Sequence, residues 1–270
     1  MQRYFIYLAY DGTNYHGWQV QPNAVSVQEE IQISMSKVMR RNVEIVGAGR
    51  TDTGVHARFM VAHFDSEILL DGGWLTQKMN RMLPVDISIY KVVPVVATAH
   101  ARFSAIARTY HYFVHTQKSP FERHFSWRPR FILDFDKMNE AAQYLLAVTD
   151  FTSFSKLHTD TKTNNCKVEK ALWEQVGEDS WRFEITADRF LRNMVRAVVG
   201  TLMEVGRGNM SLEAFCQVVK KNDRCSAGES VPGHALFLVD IRYPKVEIPD
   251  LFLEDDSSRF SGVPANTDFY

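Results

Sequence analysis

Eleven residues constrain this chain more than any other stretch: Gly47-Ala48-Gly49-Arg50-Thr51-Asp52-Thr53-Gly54-Val55-His56-Ala57. They stand between two strand-like runs, Val43 to Val46 and Phe59 to Phe64. Three glycines and two threonines at such a junction force a sharp, irregular loop, because glycine reaches backbone conformations closed to other residues. One carboxylate, Asp52, sits at the tip, two residues after a guanidinium, Arg50. A lone aspartate on a tight loop between strands is well placed to meet a ligand. The same Asp-x-Gly triplet is also an ordinary turn. A phosphate-cradling loop is the weaker reading, since no Gly-Lys-Ser/Thr follows the glycines.

The rest of the chain alternates strand and helix patterns. Arg3 to Tyr10 reads as a strand. The loop Asp11 to Gln19 carries Tyr15 and Trp18, which either fold inward or face a substrate. Ser26-Val27-Gln28-Glu29 is a capping box, and Val27, Ile31, Met35 and Val38 continue it at helical spacing. A short helix follows near Trp74 to Leu83, then a strand through Asp86–Val96 and another over Ile106–His115. On that last strand Arg108, Tyr110 and Tyr112 share one face. Asp136 to Val148 is an amphipathic helix, and Val168–Val176 with Trp181–Thr186 form a hairpin. Phe190 to Val205 is a long apolar helix pattern with Arg192 and Arg196 four apart on one face. Leu212 to Lys221 is a second helix, and Ala235 to Tyr243 a closing strand. This order fits an α+β or a mixed α/β chain, and physics alone leaves the topology open.

Composition narrows the class. With 270 residues, 45% of them hydrophobic, the chain can bury one large core or two smaller ones. Met1-Gln2-Arg3-Tyr4 does not read as a signal peptide, and no apolar run approaches a membrane span. Three cysteines without C-x-x-C spacing and nine scattered histidines argue against disulfides and against a metal site, which points to a reducing cytoplasm. The net charge of −1 is unevenly spread. Val246 to Tyr270 holds six acids and one base, net −5, which leaves +4 for residues 1–245. Any nucleic-acid surface must therefore be a local patch. The run Lys118 to Arg130, with Arg123, Arg128, Arg130 and Trp127, is such a patch or a solvated loop.

Several separated motifs share one resemblance. Gly-Arg-Thr-Asp-x-Gly-Val-His-Ala at 49–57 resembles the signature of the TruA family of tRNA pseudouridine synthases. So do Tyr-Asp-Gly-x-x-Tyr-x-Gly-Trp-Gln at 10–19, His-Ala-Arg-Phe-Ser-Ala followed by Ala-Arg-x-Tyr at 100–110, and Asn-Met-Val-Arg at 193–196 followed by Gly200 to Gly206. The resemblance spans about residues 3–245. The segment Ser230 to Leu236 departs from the family pattern.

The resemblance implies a pseudouridine synthase-like α+β fold: two similar α/β subdomains on antiparallel sheets flanking a central catalytic cleft. The expected divisions are 1–104 with the catalytic loop, 105–245, and an acidic tail at 246–270. It also implies a homodimer, no cofactor, and as substrate the uridines at positions 38, 39 and 40 of the tRNA anticodon stem-loop. Asp52 takes the place of the catalytic aspartate, Arg196 of the arginine paired with it, and Tyr110 of the tyrosine that contacts uracil. Arg50 is the candidate to enter the space left by the flipped base. Arg108, in the Ala-Arg-x-Tyr motif, joins the substrate-binding set.

The chemistry asks for the same residue types. Isomerising uridine breaks an N–C glycosidic bond and remakes it through carbon, with no redox change, so one carboxylate nucleophile, a neighbouring cation and an aromatic face for an extruded base suffice. Two other classes fit less well. A catalytically silent tRNA-binding protein gains nothing from an anionic group facing RNA. An aspartate-based glycosidase or nucleosidase usually sets two carboxylates at the bond, where this loop offers one.

Overall fold

In the computed structural model, residues 1–156 and 163–244 are described. The acidic tail and the centre of the loop after Lys156 lie outside them. The chain divides into two compact units. The first holds Met1–Thr51, Ala57–Ile106 and the segment from Ile241; the second holds Asp52–His56 and Ala107–Asp240.

In the first unit, β1 (Gln2–Tyr10) lies between β3 (His56–Ser66) and β4 (Ile87–Val95), antiparallel to both. The short β2 (Val46–Gly47) pairs with β3. Consecutive residues of β1, Tyr4 to Leu8, are all buried, so both faces of this strand are covered. Helix α1 (Val27–Met39) contributes Ile31 and Met35 to the core, and α2 (Gly72–Met82) contributes Leu75 and Met79. Ser26 caps α1 by accepting the Glu29 N–H, and Asp71 caps α2 by accepting that of Trp74.

The expected strand at Val43–Val46 is mostly not one. Only Val46–Gly47 pairs. Side chains of α1 take the preceding backbone groups instead. The Val43 N–H donates to Ser36 Oγ (3.0 Å), and the Ile45 N–H to Gln32 Oε1 (3.2 Å). Gln28 Nε2 donates to the Ile45 carbonyl (2.7 Å). Val43 and Ile45 still bury alternately, which is why the segment reads as a strand in sequence.

In the second unit the strand order is β8-β5-β7-β6, with β5 (Ala107–His115), β6 (Val168–Gln175), β7 (Ser180–Ala187) and β8 (Leu236–Arg242). Helices α3 (Phe135–Tyr144), α4 (Met194–Gly206) and α5 (Leu212–Lys220) share a core with Tyr112, Phe154, Trp173, Phe183 and Phe215. Each unit is thus an antiparallel sheet with helices, an α+β arrangement.

Helix α4 begins four residues later than its apolar pattern predicts. Asn193 takes a left-handed conformation (φ 66°) immediately before it, and the Arg192 carbonyl accepts the Lys156 N–H (3.1 Å). Arg192 therefore precedes the helix, and the expected Arg192/Arg196 stripe on one face does not form.

Candidate active site

The 47–57 loop is built from two halves. In the first, the Trp18 indole lies against Gly47 so closely that a Cβ there would stand 2.4 Å from Nε1. Trp18 is 2% exposed, and Tyr15 is also buried, with its hydroxyl on Asp86 Oδ1 (2.6 Å). Of the two sequence readings for these aromatics, the inward one holds. Thr51 is buried, its hydroxyl 2.9 Å from that of Tyr10. Arg50 is exposed and belongs to this first unit.

The second half is a tight turn. The Val55 N–H donates to the Asp52 carbonyl (3.1 Å), and Gly54 has φ +75°, a conformation that side chains resist. This turn is moulded to residues 231–237. A Cβ on Gly233 would stand 2.6 Å from the Thr53 carbonyl. The buried His56 donates from Nε2 to the His234 carbonyl (2.9 Å) and stacks on Phe237 with ring centres 4.6 Å apart. These contacts place Asp52–His56 with the second unit, although both neighbouring segments belong to the first.

Arg196 lies in the first turn of α4. Its Nη1 donates to Asp52 Oδ2 at 3.2 Å, joining residues 144 positions apart. The pair is about three-quarters shielded, with the two side chains 23% and 26% exposed, so an incoming group can still reach the carboxylate. The Arg196 Nε donates to the Val231 carbonyl (2.7 Å), which fixes the guanidinium from behind.

That carbonyl belongs to a strap that sequence reasoning missed. Ser230 Oγ accepts from Asn193 Nδ2 (2.6 Å) and from Arg224 Nη2 (3.0 Å), and Arg224 Nη1 also donates to the Gly228 carbonyl (3.1 Å). The Gly228 N–H donates to Thr201 Oγ1 (3.0 Å), and the Tyr112 hydroxyl to the Pro232 carbonyl (3.2 Å). One signal pointed here: Ser230 to Leu236 is where the sequence departs from the pattern it otherwise follows.

Tyr110, on β5, meets Phe190 edge-on with ring centres 5.1 Å apart. Burial of its hydroxyl pushes the phenol pKa up to about 12. Arg108 opposes that shift and the Asp52 carboxylate adds to it, so Tyr110 lies within electrostatic reach of both. Tyr110 is therefore a neutral phenol at any ordinary pH. Arg108 donates from Nη1 to the Asp188 carbonyl (2.8 Å). The second unit thus gathers Asp52, Arg196, Tyr110 and Arg108. Together they offer a carboxylate, a bound guanidinium and an aromatic ring.

The profile of a family described as tRNA pseudouridine synthase matches residues 6–104 and 141–244. The chain belongs to this family. It is similar to tRNA pseudouridine synthase A of Bacteroides thetaiotaomicron, 59% identical over 257 residues covering 94% of each chain. The Parabacteroides distasonis protein of the same name is 57% identical, covering 92% of this chain and 99% of its own. More distant is that of a Thermoanaerobacter species, 39% identical over 90% of this chain and all of its own. Family membership accounts for the motifs at 10–19, 100–104 and 193–206, which fall inside the matched segments. The stretch 105–140, with Arg108, Tyr110 and the basic run from Lys118, lies between them.

Proposed function

We propose that this chain isomerises uridine to pseudouridine in tRNA, at positions 38, 39 and 40 of the anticodon stem-loop, with Asp52 as the nucleophile. The Arg196–Asp52 ion pair carries the reading, because it joins the glycine-rich loop to α4 through 144 residues of intervening chain. A binding protein has no use for an anion held ready where RNA phosphates approach.

The reaction needs the target nucleotide out of the helical stack, since its reacting atoms are unreachable inside it. Tyr110, backed by Phe190, supplies a ring face for the extruded uracil. Arg50 is the side chain to fill the vacated space, and Arg108 contributes to holding the substrate. The Asp52 carboxylate bonds to the nucleoside as the N1–C1′ bond breaks. The freed uracil turns, and C5 joins C1′ as the carboxylate is released. The C5 hydrogen leaves as a proton and N1 gains one, so atoms and charge balance without a redox partner. Arg196 keeps the carboxylate aimed through two fixed hydrogen bonds. The chain acts as a cytoplasmic homodimer in this reading. Among the described residues no helix is long and apolar enough to cross a membrane.

The test is tritium release from tRNA labelled at uracil C5, with wild type and Asp52→Asn assayed side by side. Release by wild type alone supports the assignment. Release by both removes Asp52 from the chemistry, and release by neither removes the isomerase reading.

A further inference from the structure

Away from Asp52, the second unit holds a cavity of about 360 Å³ that the reaction does not use. Its cations come from the loop after β5: Lys118, Arg123 and Arg128. His115 and Ser126 are buried in its wall, and His234 closes it from the other side of the sequence. No carboxylate lines it.

The loop is folded to keep this shape. It returns alongside β5, with the Trp127 N–H on the Phe113 carbonyl (3.0 Å) and the His115 N–H on the Trp127 carbonyl (3.1 Å). The His115 Nδ1 and the Ser126 hydroxyl lie 3.0 Å apart. The cations are steadied by backbone carbonyls and not by acids: Arg123 donates to that of Pro120, and Arg128 Nε to that of Thr116 (3.4 Å). Among the described residues none of the three is in an ion pair. The acid of this loop, Glu122, accepts instead from the Ser180 hydroxyl (3.1 Å). Three positive groups around one concavity repel each other, and an entering anion relieves that repulsion. Burial holds His115 and His234 below the usual histidine range, so at neutral pH they offer uncharged ring nitrogens for hydrogen bonding while the Lys and Arg heads supply the charge.

We propose that this cavity is a phosphate subsite that takes a backbone phosphate of the RNA substrate, apart from the reacting nucleotide. The ligand class follows from the donors: guanidinium forks, an ammonium, a hydroxyl and imidazoles match phosphate oxygens. The volume is at the small end of ligand sites, about 300–1,000 Å³, and is ample for one phosphate group. The loop also carries Trp127 and Phe121 among its basic residues, a composition suited to single-stranded nucleic acid. His234 links this cavity to the catalytic turn, since its carbonyl holds His56. The proposal rests on the tRNA reading given above.

The experiment compares full-length wild type with Lys118→Ala/Arg123→Ala/Arg128→Ala, measuring tritium release over a range of tRNA and salt concentrations. The expected result is a KM for tRNA raised about ten-fold or more, with kcat changed far less. The slope of log affinity against log salt should fall by about 1 to 2, because each phosphate contact contributes roughly 0.7 to 0.9. The side chains are exposed, and thermal denaturation checks that the variant is folded. The single variant Arg128→Glu should raise KM more than Arg128→Ala. Unchanged KM and salt slope would overturn the proposal. So would inorganic phosphate binding by calorimetry that is lost in the triple variant while the KM for tRNA stays as in wild type, since the ligand would then be a small phosphate. If wild type itself releases no tritium, the functional reading fails separately. Filter binding of tRNA to the two proteins then still decides the subsite.

Discussion

Arg196 and Val231 hold each other by two hydrogen bonds: the Val231 N–H donates to the Arg196 carbonyl (3.2 Å), and the Arg196 Nε donates to the Val231 carbonyl (2.7 Å). The guanidinium that faces Asp52 is therefore aimed by backbone, and its remaining donors are free to serve the carboxylate.

Charge at position 196 is not enough in this arrangement. Lysine is a point cation and cannot bind the Val231 carbonyl and Asp52 in the same forked geometry. We expect Arg196→Lys to lower kcat at least about ten-fold, the worth of a 1.4 kcal/mol loss in the transition state. Single-turnover tritium release measures this, and near-wild-type turnover would show that only the positive charge matters.

The strap should matter through Arg196. Ser230→Ala removes the acceptor shared by Asn193 and Arg224. Each such hydrogen bond is worth about 1 kcal/mol, so a loss of roughly five-fold in kcat per bond follows if it is expressed in the transition state. The KM for tRNA should stay within about two-fold by the same scale, and Ser230→Thr should restore kcat because it keeps the hydroxyl. A Thr variant as slow as the Ala variant would mean that packing, and not the hydroxyl, positions the strap.

Gly200→Ala sets two effects against each other. In the middle of α4, alanine favours helix by about 1 kcal/mol. The added Cβ, however, would stand 1.7 Å from the Glu229 carbonyl oxygen, a backbone atom that cannot rotate away. Sterics should win, with a net destabilisation of about 1–3 kcal/mol and reduced turnover as the strap is displaced. Urea denaturation and the release assay on one preparation check both.

Stability should fall on mild acidification. His63 is buried, and its Nδ1 accepts the Ala101 N–H (3.2 Å), which requires an unprotonated nitrogen. Burial first, then the charges of His100 and Arg3, lower its pKa from 6.5 to about 4. Between those values the unfolded chain binds a proton that the folded chain refuses, so the stabilisation present above pH 6.5 is lost as pH drops towards 4. Burial lowers His100, His115 and His234 as well, with the same sign. Glu184, held down to about 2 mainly by its hydrogen bond with His111, adds a separate loss between pH 4.5 and 2. Urea midpoints from pH 7.5 to 4 should fall, and less steeply for His63→Gln.

Much of this was legible before any coordinates. The Ser26 cap, the strands at 2–10 and 107–115, the hairpin of β6 and β7 and the helix at 212–220 follow from side-chain periodicity and capping chemistry, which act within a few residues. Asp52 and Arg196 were legible as residues through their motifs. The failures share one cause. Val43–Ile45 alternates like a strand but is held by Gln28, Gln32 and Ser36 of a helix. Arg192 has helical spacing from Arg196 but lies outside the helix, because Asn193 adopts a left-handed backbone conformation. In both, a contact made elsewhere in the chain overrode the local pattern.

The sequence by itself determined which residues could do the chemistry: a lone aspartate on a glycine-rich turn, an arginine near the start of an apolar helix, a tyrosine on a strand. Periodicity and turn chemistry are local, so they are written in the order of residues. Only the tertiary structure decided that the turn 52–56 leaves the unit of its neighbours, and that Asp52 is met by Arg196 and Arg196 by Val231. It also brought His234 beside Lys118, Arg123 and Arg128 in one cavity. Hydrogen bonds and close packing act over a few ångströms between groups more than a hundred positions apart, and that proximity exists only once the chain is folded.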